Sequence, residues 1–190
     1  MNKIIQCQTL DGRSIAFVDE VIGSGAMKDV YFSPDKSYVV CFFTKEKNSF
    51  YQSQAELERQ KDRLKEIVGN KWQGIFNSAG GDYWKNVFCW PDGLVEYNGL
   101  LGITALTYQQ AFFFEFGSKN DDFLGIKGKE KEGKWFASAN NQNRFLDERE
   151  KGTWLNYLKI CILIARAVRR MHAAGLAHSD LSYKDILIDP

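Results

Sequence analysis

Apolar and polar positions alternate through the first half of the chain, and the period then changes. Two-residue alternation predicts strands over Lys3–Gln8 and Arg13–Val18, with Asp11-Gly12 as the turn between them. Further strands are expected over Asp19–Gly23 and Lys28–Ser33, on either side of a glycine-containing loop. Ser33-Pro34-Asp35-Lys36 reads as the next turn and Tyr38–Thr44 as an apolar strand. From Ser49 to Val68 the period becomes helical. Leu57, Leu64 and Val68 fall on one stripe among Gln, Glu, Lys and Arg, and Gly69 is placed to end the helix. Strands return over Trp84–Trp90 and Leu94–Tyr97, joined by Pro91-Asp92-Gly93, and over Leu101–Thr107.

Beyond Thr107 the pattern loosens. Gln109–Gly117 holds the Phe112-Phe113-Phe114 cluster. Ser118–Asn143 is rich in Gly, Lys, Glu and Asn and reads as an exposed, mobile insertion. A last helix is predicted from a Thr153 cap to Gly175. Its apolar residues are not confined to one stripe, which predicts a helix deep in its lobe. A polar loop and a short apolar strand, LAHSDLSYKDILIDP, follow it.

Composition narrows the classes. The 190 residues are 44% hydrophobic and 26% charged, a balance that supports a buried core. A net charge of +1 lacks the basic field that nucleic-acid binding draws on. The longest apolar run, Ile160–Ala165, is far short of the roughly 20 residues of a membrane span, so no membrane partner is expected. The start, MNKIIQCQTLDGR, does not read as a signal peptide. Cys7, Cys41, Cys89 and Cys161 are widely spaced and form no CxxC, which fits a reduced, cytoplasmic protein.

The most specific motif is His178-Ser179-Asp180-Leu181-Ser182-Tyr183-Lys184-Asp185. Phosphoryl transfer needs a carboxylate to orient the attacking hydroxyl and accept its proton, and a second oxygen ligand near it to hold Mg²⁺. Asp180 suits the first role and Asp185 the second. Read alone, the same residues also suit a polar helix-to-strand turn. The stretch resembles the protein-kinase catalytic loop, H-R-D-L-x-x-x-N, with Ser179 in place of the arginine and Asp185 in place of the asparagine. Losing the arginine argues against control through a phosphorylated activation loop.

Gly23-Ser24-Gly25-Ala26-Met27-Lys28-Asp29-Val30 resembles the kinase glycine-rich loop, with Lys28 in place of the third glycine. The resemblance implies that Gly23, Ser24 and Gly25 approach the ATP phosphates and that Val30 and Val39 cover the adenine. Cys41 occupies the lysine position of V-A-I-K. Cysteine there together with lysine at the third glycine resembles the with-no-lysine kinases. Alternation puts Lys28 and Val30 on one strand face, and Val39, Cys41 and Phe43 on one face of the next. Lys28 is therefore expected to contact the phosphates, with Lys45 as the competing lysine. Glu56 or Glu58 would be the helix partner of that lysine, and Glu56 is taken first.

The order of glycine loop, strand, helix, two strands, connecting segment, helix and HxD loop is that of protein kinases. The resemblance implies an α+β fold. Residues 1–107 would form an antiparallel N-lobe with one helix, and 108–190 a hinge, an insertion and the start of a helical C-lobe. It implies an ATP- and Mg²⁺-dependent Ser/Thr kinase of bacterial type. GLAHSDLSYKDILIDP and FCWPDG resemble kinases of tellurium-resistance gene clusters. Without DFG, activation loop or APE segments, the chain is expected to be a fragment, inactive alone and prone to self-association through an incomplete C-lobe. Two other classes stay open: a small-molecule kinase of the aminoglycoside-phosphotransferase kind, whose loop is H-G-D-x-x-x-x-N, and a pseudokinase that only binds nucleotide.

Overall fold

Strand alternation organises the first of two units, which divide after Thr107 in the computed structural model; residues 3–77 and 80–190 are described. The fold is α+β with antiparallel sheets. Among the described residues, β1 (Ile4–Gln8) and β2 (Ser14–Val18) form a ribbon. β3 (Gly23–Ser24), β4 (Lys28–Phe32), β5 (Tyr38–Phe43), β6 (Pro91–Tyr97) and β7 (Leu100–Leu106) form a second sheet in the order β3-β4-β5-β7-β6. Val40 and Phe42 of β5 bury one sheet face against Ile5, Ile15 and Phe17 of the ribbon. Cys41 and Phe43 bury the other against Leu64 of helix α1 (Gln54–Glu66), with Leu94, Leu101 and Ile103. Each such side chain contributes about 1.5–3 kcal/mol by leaving water.

The ribbon is fastened to the sheet through β6. The Arg13 guanidinium grips both carboxylate oxygens of Asp92 at 3.1 Å and donates to Thr104 Oγ1 at 2.9 Å. Asp92 is the extra residue of a bulge between Pro91 and Gly93, so Pro91-Asp92-Gly93 begins a strand and is not the expected turn. A Cβ on Gly93 would lie 2.5 Å from Arg13 Nη2, so only glycine leaves room for the clamp. The tight turn of this hairpin is Asn98-Gly99, with φ of 50° and 70°, the pairing that two-residue hairpins favour.

Six further expectations change in this unit and the next. The strand expected over Asp19–Gly23 shrinks to Gly23–Ser24. Gly69 does not end the helix: a π-helical stretch, Ile67–Lys71, carries it into α2 (Trp72–Phe76). Packing overrides the glycine, because Ile67 and Val68 join the core beside Leu64 and the Ile67 carbonyl accepts from Trp90 Nε1 at 3.0 Å. Trp84–Trp90 is not a strand. Helix α3 (Gly81–Lys85) and a turn set Trp84, Phe88 and Trp90 edge-on or tilted about Phe76, with ring centroids 5.7–6.2 Å apart. The fourth is the segment Ser118–Asn143, which is not an exposed insertion. It supplies Ile126 and Phe136 to the core of the second unit, with Phe114, Leu146 and Ile188.

That second unit contains α4 (Lys119–Asp122), a turn with left-handed residues, α5 (Ala139–Phe145) and α6 (Trp154–Ala173). Desolvation pushes the Asp122 carboxyl up, but N–H groups of Lys127, Ser118 and Ile126 and the Ser118 hydroxyl outweigh it and hold it far below the usual range. Deeper in, Lys131 and Glu150 pair at 3.0 Å with side chains only 9% and 2% exposed. Glu150 Oε1 also accepts from the N–H groups of Phe116 and Gly117. Thr153 caps α6 through Asn156 N, and a left-handed Gly175 closes it, with Leu176 N on Met171 O and Gly175 N on His172 O. The helix is not deep in its unit, however. None of its described residues is buried, and Trp154, Leu155 and Ile162 are 72%, 60% and 60% exposed. The core is built by 114–146 and Ile188, so only the Ile160 side of α6 is covered. The strand expected after the polar loop is a single bridge, Glu132 to Leu187. Among the described residues no helix is long and apolar enough to cross a membrane.

Two outcomes follow from these polar ties. Removing one partner of a buried ion pair costs about 3–5 kcal/mol, so Glu150→Ala should lower the unfolding free energy of the second unit, read from its denaturant transition, by that much. Asp92 gives a pH dependence. Burial works to raise its carboxyl, but hydrogen bonds from Arg13 and Thr104 and the Arg13 charge hold it below the ordinary carboxylate value. A folded pKa below the unfolded one stabilises above roughly pH 4 and is lost as pH falls from there. Melting temperature should therefore drop more steeply between pH 5 and pH 3 (about one unit each side of that value) in the wild type than in Asp92→Asn.

Candidate functional site

The glycine hairpin is built by short cross-strand pairs. Gly23 and Ser24 pair with Val30 and Asp29, and Gly25 N closes the tip on Lys28 O at 2.9 Å. Asn48, almost wholly buried, donates from Nδ2 to the carbonyls of Met27 and Thr44, tying the tip to the end of β5. On one side of the hairpin Ser24 Oγ donates to Asp29 Oδ1 at 2.7 Å. Lys47 Nζ donates to both, at 2.7 and 3.0 Å. The Ser24 hydrogen bond, and then Lys47, hold the Asp29 carboxyl below its ordinary value. The sequence reading missed this lock. Ser24 and Asp29 become partners only once the two-residue register of β3 and β4 is known.

The other side carries the residues read as nucleotide-binding. Lys28 pairs in register with Phe43, and Val30 with Cys41. Lys28 Nζ lies 5.6 Å from the Phe43 ring centroid. Val30 and Val39 pack half-buried into the same cluster as Cys41 and Phe43. Burial pushes the Cys41 thiol up, and the Lys28 charge acts against that shift. The Lys28 charge also reaches Cys89, whose thiol donates to the Leu106 carbonyl at 3.7 Å. Thus Lys28, Val30, Val39 and Cys41 share one face beside Gly23, Ser24 and Gly25. Lys45 is elsewhere. It lies in a 3-10 turn after β5, its Nζ 3.6 Å from where a Cβ on Gly99 would be.

Glu56 is not brought to Lys28. It occupies the first turn of α1, exposed, with its N–H donating to the Ser53 cap at 3.2 Å. An acid there complements the helix dipole. Among the described residues no ion pair joins Glu56 and Lys28. The helix instead turns Lys61 inward, to Glu96 at 2.9 Å and Glu58 at 3.2 Å.

Asp180 and Asp185 belong to the second unit. Asp180 is exposed in the loop after α6. Asp185 ends a 3-10 turn, Tyr183–Asp185, whose cap is Ser182. Its Oδ2 accepts from Ser182 N and Ser182 Oγ, both at 2.8 Å. The Ser182 hydroxyl, then the Ser182 N–H, and the nearby His178 keep the Asp185 carboxyl below the usual range. Among the described residues no cluster of three or more His, Cys, Asp or Glu side chains could hold a metal unaided.

Comparison with protein-family models, with curated proteins and with solved structures gives no match.

The Ser182 geometry separates two substitutions. Asparagine keeps an acceptor at the same place, so Asp185→Asn should retain the turn, whereas Asp185→Ala leaves Ser182 N without its partner. Amide exchange at Ser182 should stay near wild type in the first and rise about 5- to 10-fold in the second, the size expected for one net hydrogen bond.

Proposed function

We propose that this chain carries the nucleotide-binding and catalytic-loop parts of an ATP-dependent phosphotransferase of the protein-kinase kind, acting in the cytoplasm on Ser or Thr hydroxyls of proteins. The observation that carries the reading is the face shared by Lys28, Val30, Val39 and Cys41 beside the glycine hairpin. The strand order β3-β4-β5-β7-β6, with α1 between β5 and β6, supports it.

In this reading the adenine lies against Val30 and Val39, and the backbone of Gly23–Gly25 approaches the phosphates. Lys28 supplies the cation that a lysine at position 41 would otherwise bring. Asp180 orients the substrate hydroxyl and takes its proton as the new oxygen–phosphorus bond forms and the β–γ bridging bond breaks, releasing ADP. Asp185 would help hold Mg²⁺, which supplies neutralisation of phosphate charge.

A second reading, nucleotide binding without transfer, is favoured by one observation: Glu56 sits exposed in the first turn of α1, and among the described residues no ion pair joins it to Lys28. The Asp180→Asn measurement below separates the two.

Nucleotide affinity should fall about 10- to 100-fold in Lys28→Met, the value of a charge-assisted hydrogen bond, and little in Lys45→Met. Cys41→Lys combined with Lys28→Gly should restore part of it. The reverse ranking of the two methionine variants would end the Lys28 assignment. Asp180→Asn should leave nucleotide affinity nearly unchanged and lower phosphate transfer on the order of 10²- to 10⁴-fold. Nucleotide binding with no transfer for the Asn variant to lower would favour the second reading.

A further inference from the structure

The loop that carries Asp180 is exposed, yet its exit is held by a segment that no kinase-loop motif includes. Gly133 N donates to Ile186 O at 2.9 Å, Ile188 N donates to Lys131 O at 3.0 Å, and Glu132 bridges Leu187. This segment is itself anchored in the core. Lys131 pairs with buried Glu150, while the rings of Trp135 and Phe136 pack on Phe114 at 6.0 and 6.5 Å. From that anchored base Lys134 reaches outward. Its Nζ lies 5.4 Å from the centroid of the Tyr183 ring and 5.4 Å from that of Trp135, with Glu132 as its ion-pair partner. Tyr183 stands three residues after Asp180 and opens the 3-10 turn that Asp185 closes.

We propose that Lys134 is a positioning residue, whose ammonium held over Tyr183 fixes the 3-10 turn that follows Asp180 and ends at Asp185. The geometry joins a buried base to an exposed working loop through one cation and one ring. A lysine over an aromatic face supplies that tie without burying the loop, so Asp180 stays open to a substrate. The role of Asp180 rests on the phosphotransferase reading; the tie between Lys134 and the loop does not.

The test measures amide exchange over residues 178–188 in the full chain, with α6 as the control for folding. Lys134→Met should speed exchange at Lys184, Asp185 and Ile186 about 2- to 5-fold, the population change expected from one exposed cation–π contact. Lys134→Arg and Tyr183→Phe should keep wild-type protection, because the cation and the ring remain. Tyr183→Ala should match Lys134→Met, and the double variant should be no worse than either single one. Wild-type exchange in Lys134→Met, equal loss in Lys134→Arg, or additive losses in the double variant would overturn the proposal. If Lys134→Met loosens α6 as well, the Tyr183→Phe and Tyr183→Ala pair decides. A second readout is ATP binding with and without Mg²⁺. Lys134→Met should weaken the Mg²⁺-dependent part by the same factor and leave Mg²⁺-free binding unchanged, whereas a merely structural lysine would move both or neither. A wild-type chain that binds no ATP would end the phosphotransferase reading, and the exchange result would still decide the tie.

Discussion

Strand β5 is buried on both faces, and that double burial is the constraint from which the first unit follows. Successive side chains of a strand must point to opposite sides. Val40 and Phe42 therefore need one apolar partner, and Cys41 and Phe43 another. The β1–β2 ribbon covers the first side, with the Phe17 ring edge-on to Phe42 at 5.3 Å. Helix α1 covers the second, over a face that the neighbouring β7 and β6 extend with Leu101, Ile103 and Leu94. The register with β4 then has no freedom. A one-residue slip would carry Val30 and Lys28 to the ribbon side, burying an ammonium against Phe17 and Phe42.

Local pattern was legible where one backbone rule decides the outcome, and illegible where distant packing decides it. β1, β2, β4, β5 and β7 lie within a residue or two of the places that alternation assigns, because each has one or both faces in a core. Thr153 and Gly175 mark α6 correctly, since a cap and a left-handed glycine are satisfied within a few residues. Gly69 and Trp84–Trp90 misled for the opposite reason. Glycine costs only about 1 kcal/mol in a helix, and the burial of Ile67, Ile75 and Phe76 exceeds that. An aromatic-rich run looks like a strand until its rings find each other at helical spacing, as Trp84 and Phe88 do.

Polarity misled in the second unit. Ser118–Asn143 is rich in charge and glycine, yet it holds core positions. Lys131 and Glu150 lie nineteen residues apart in sequence and satisfy one another in the interior. Such a pair is invisible to composition, which counts both as surface residues. The candidate site divides the same way. Lys28, Val30, Val39 and Cys41 were legible as a face because strand geometry alone relates them. Glu56 was not, since a helix stripe does not say which charge turns inward, and the structure turns Lys61 inward instead.

The cation placement that the proposed function requires follows from the same geometry. Across an antiparallel pair, Val30 stands opposite Cys41 and Lys28 opposite Phe43, so positions 28 and 41 are diagonal neighbours on one face. Diagonal pairs lie about 7–8 Å apart, within the span of a lysine side chain. A lysine at 28 can therefore bring its ammonium into the region that a lysine at 41 would serve, provided position 41 is small and uncharged. Cysteine meets both conditions. Its buried thiol is pushed toward the neutral form, so it neither competes for the ammonium nor repels a phosphate. Placing two lysines there would add a like-charge penalty, and leaving out both would leave a face of Val, Phe and Cys with no cation for an anionic ligand. Ser24, Asp29 and Lys47, locked on the opposite side, keep the hairpin in the register that this exchange requires.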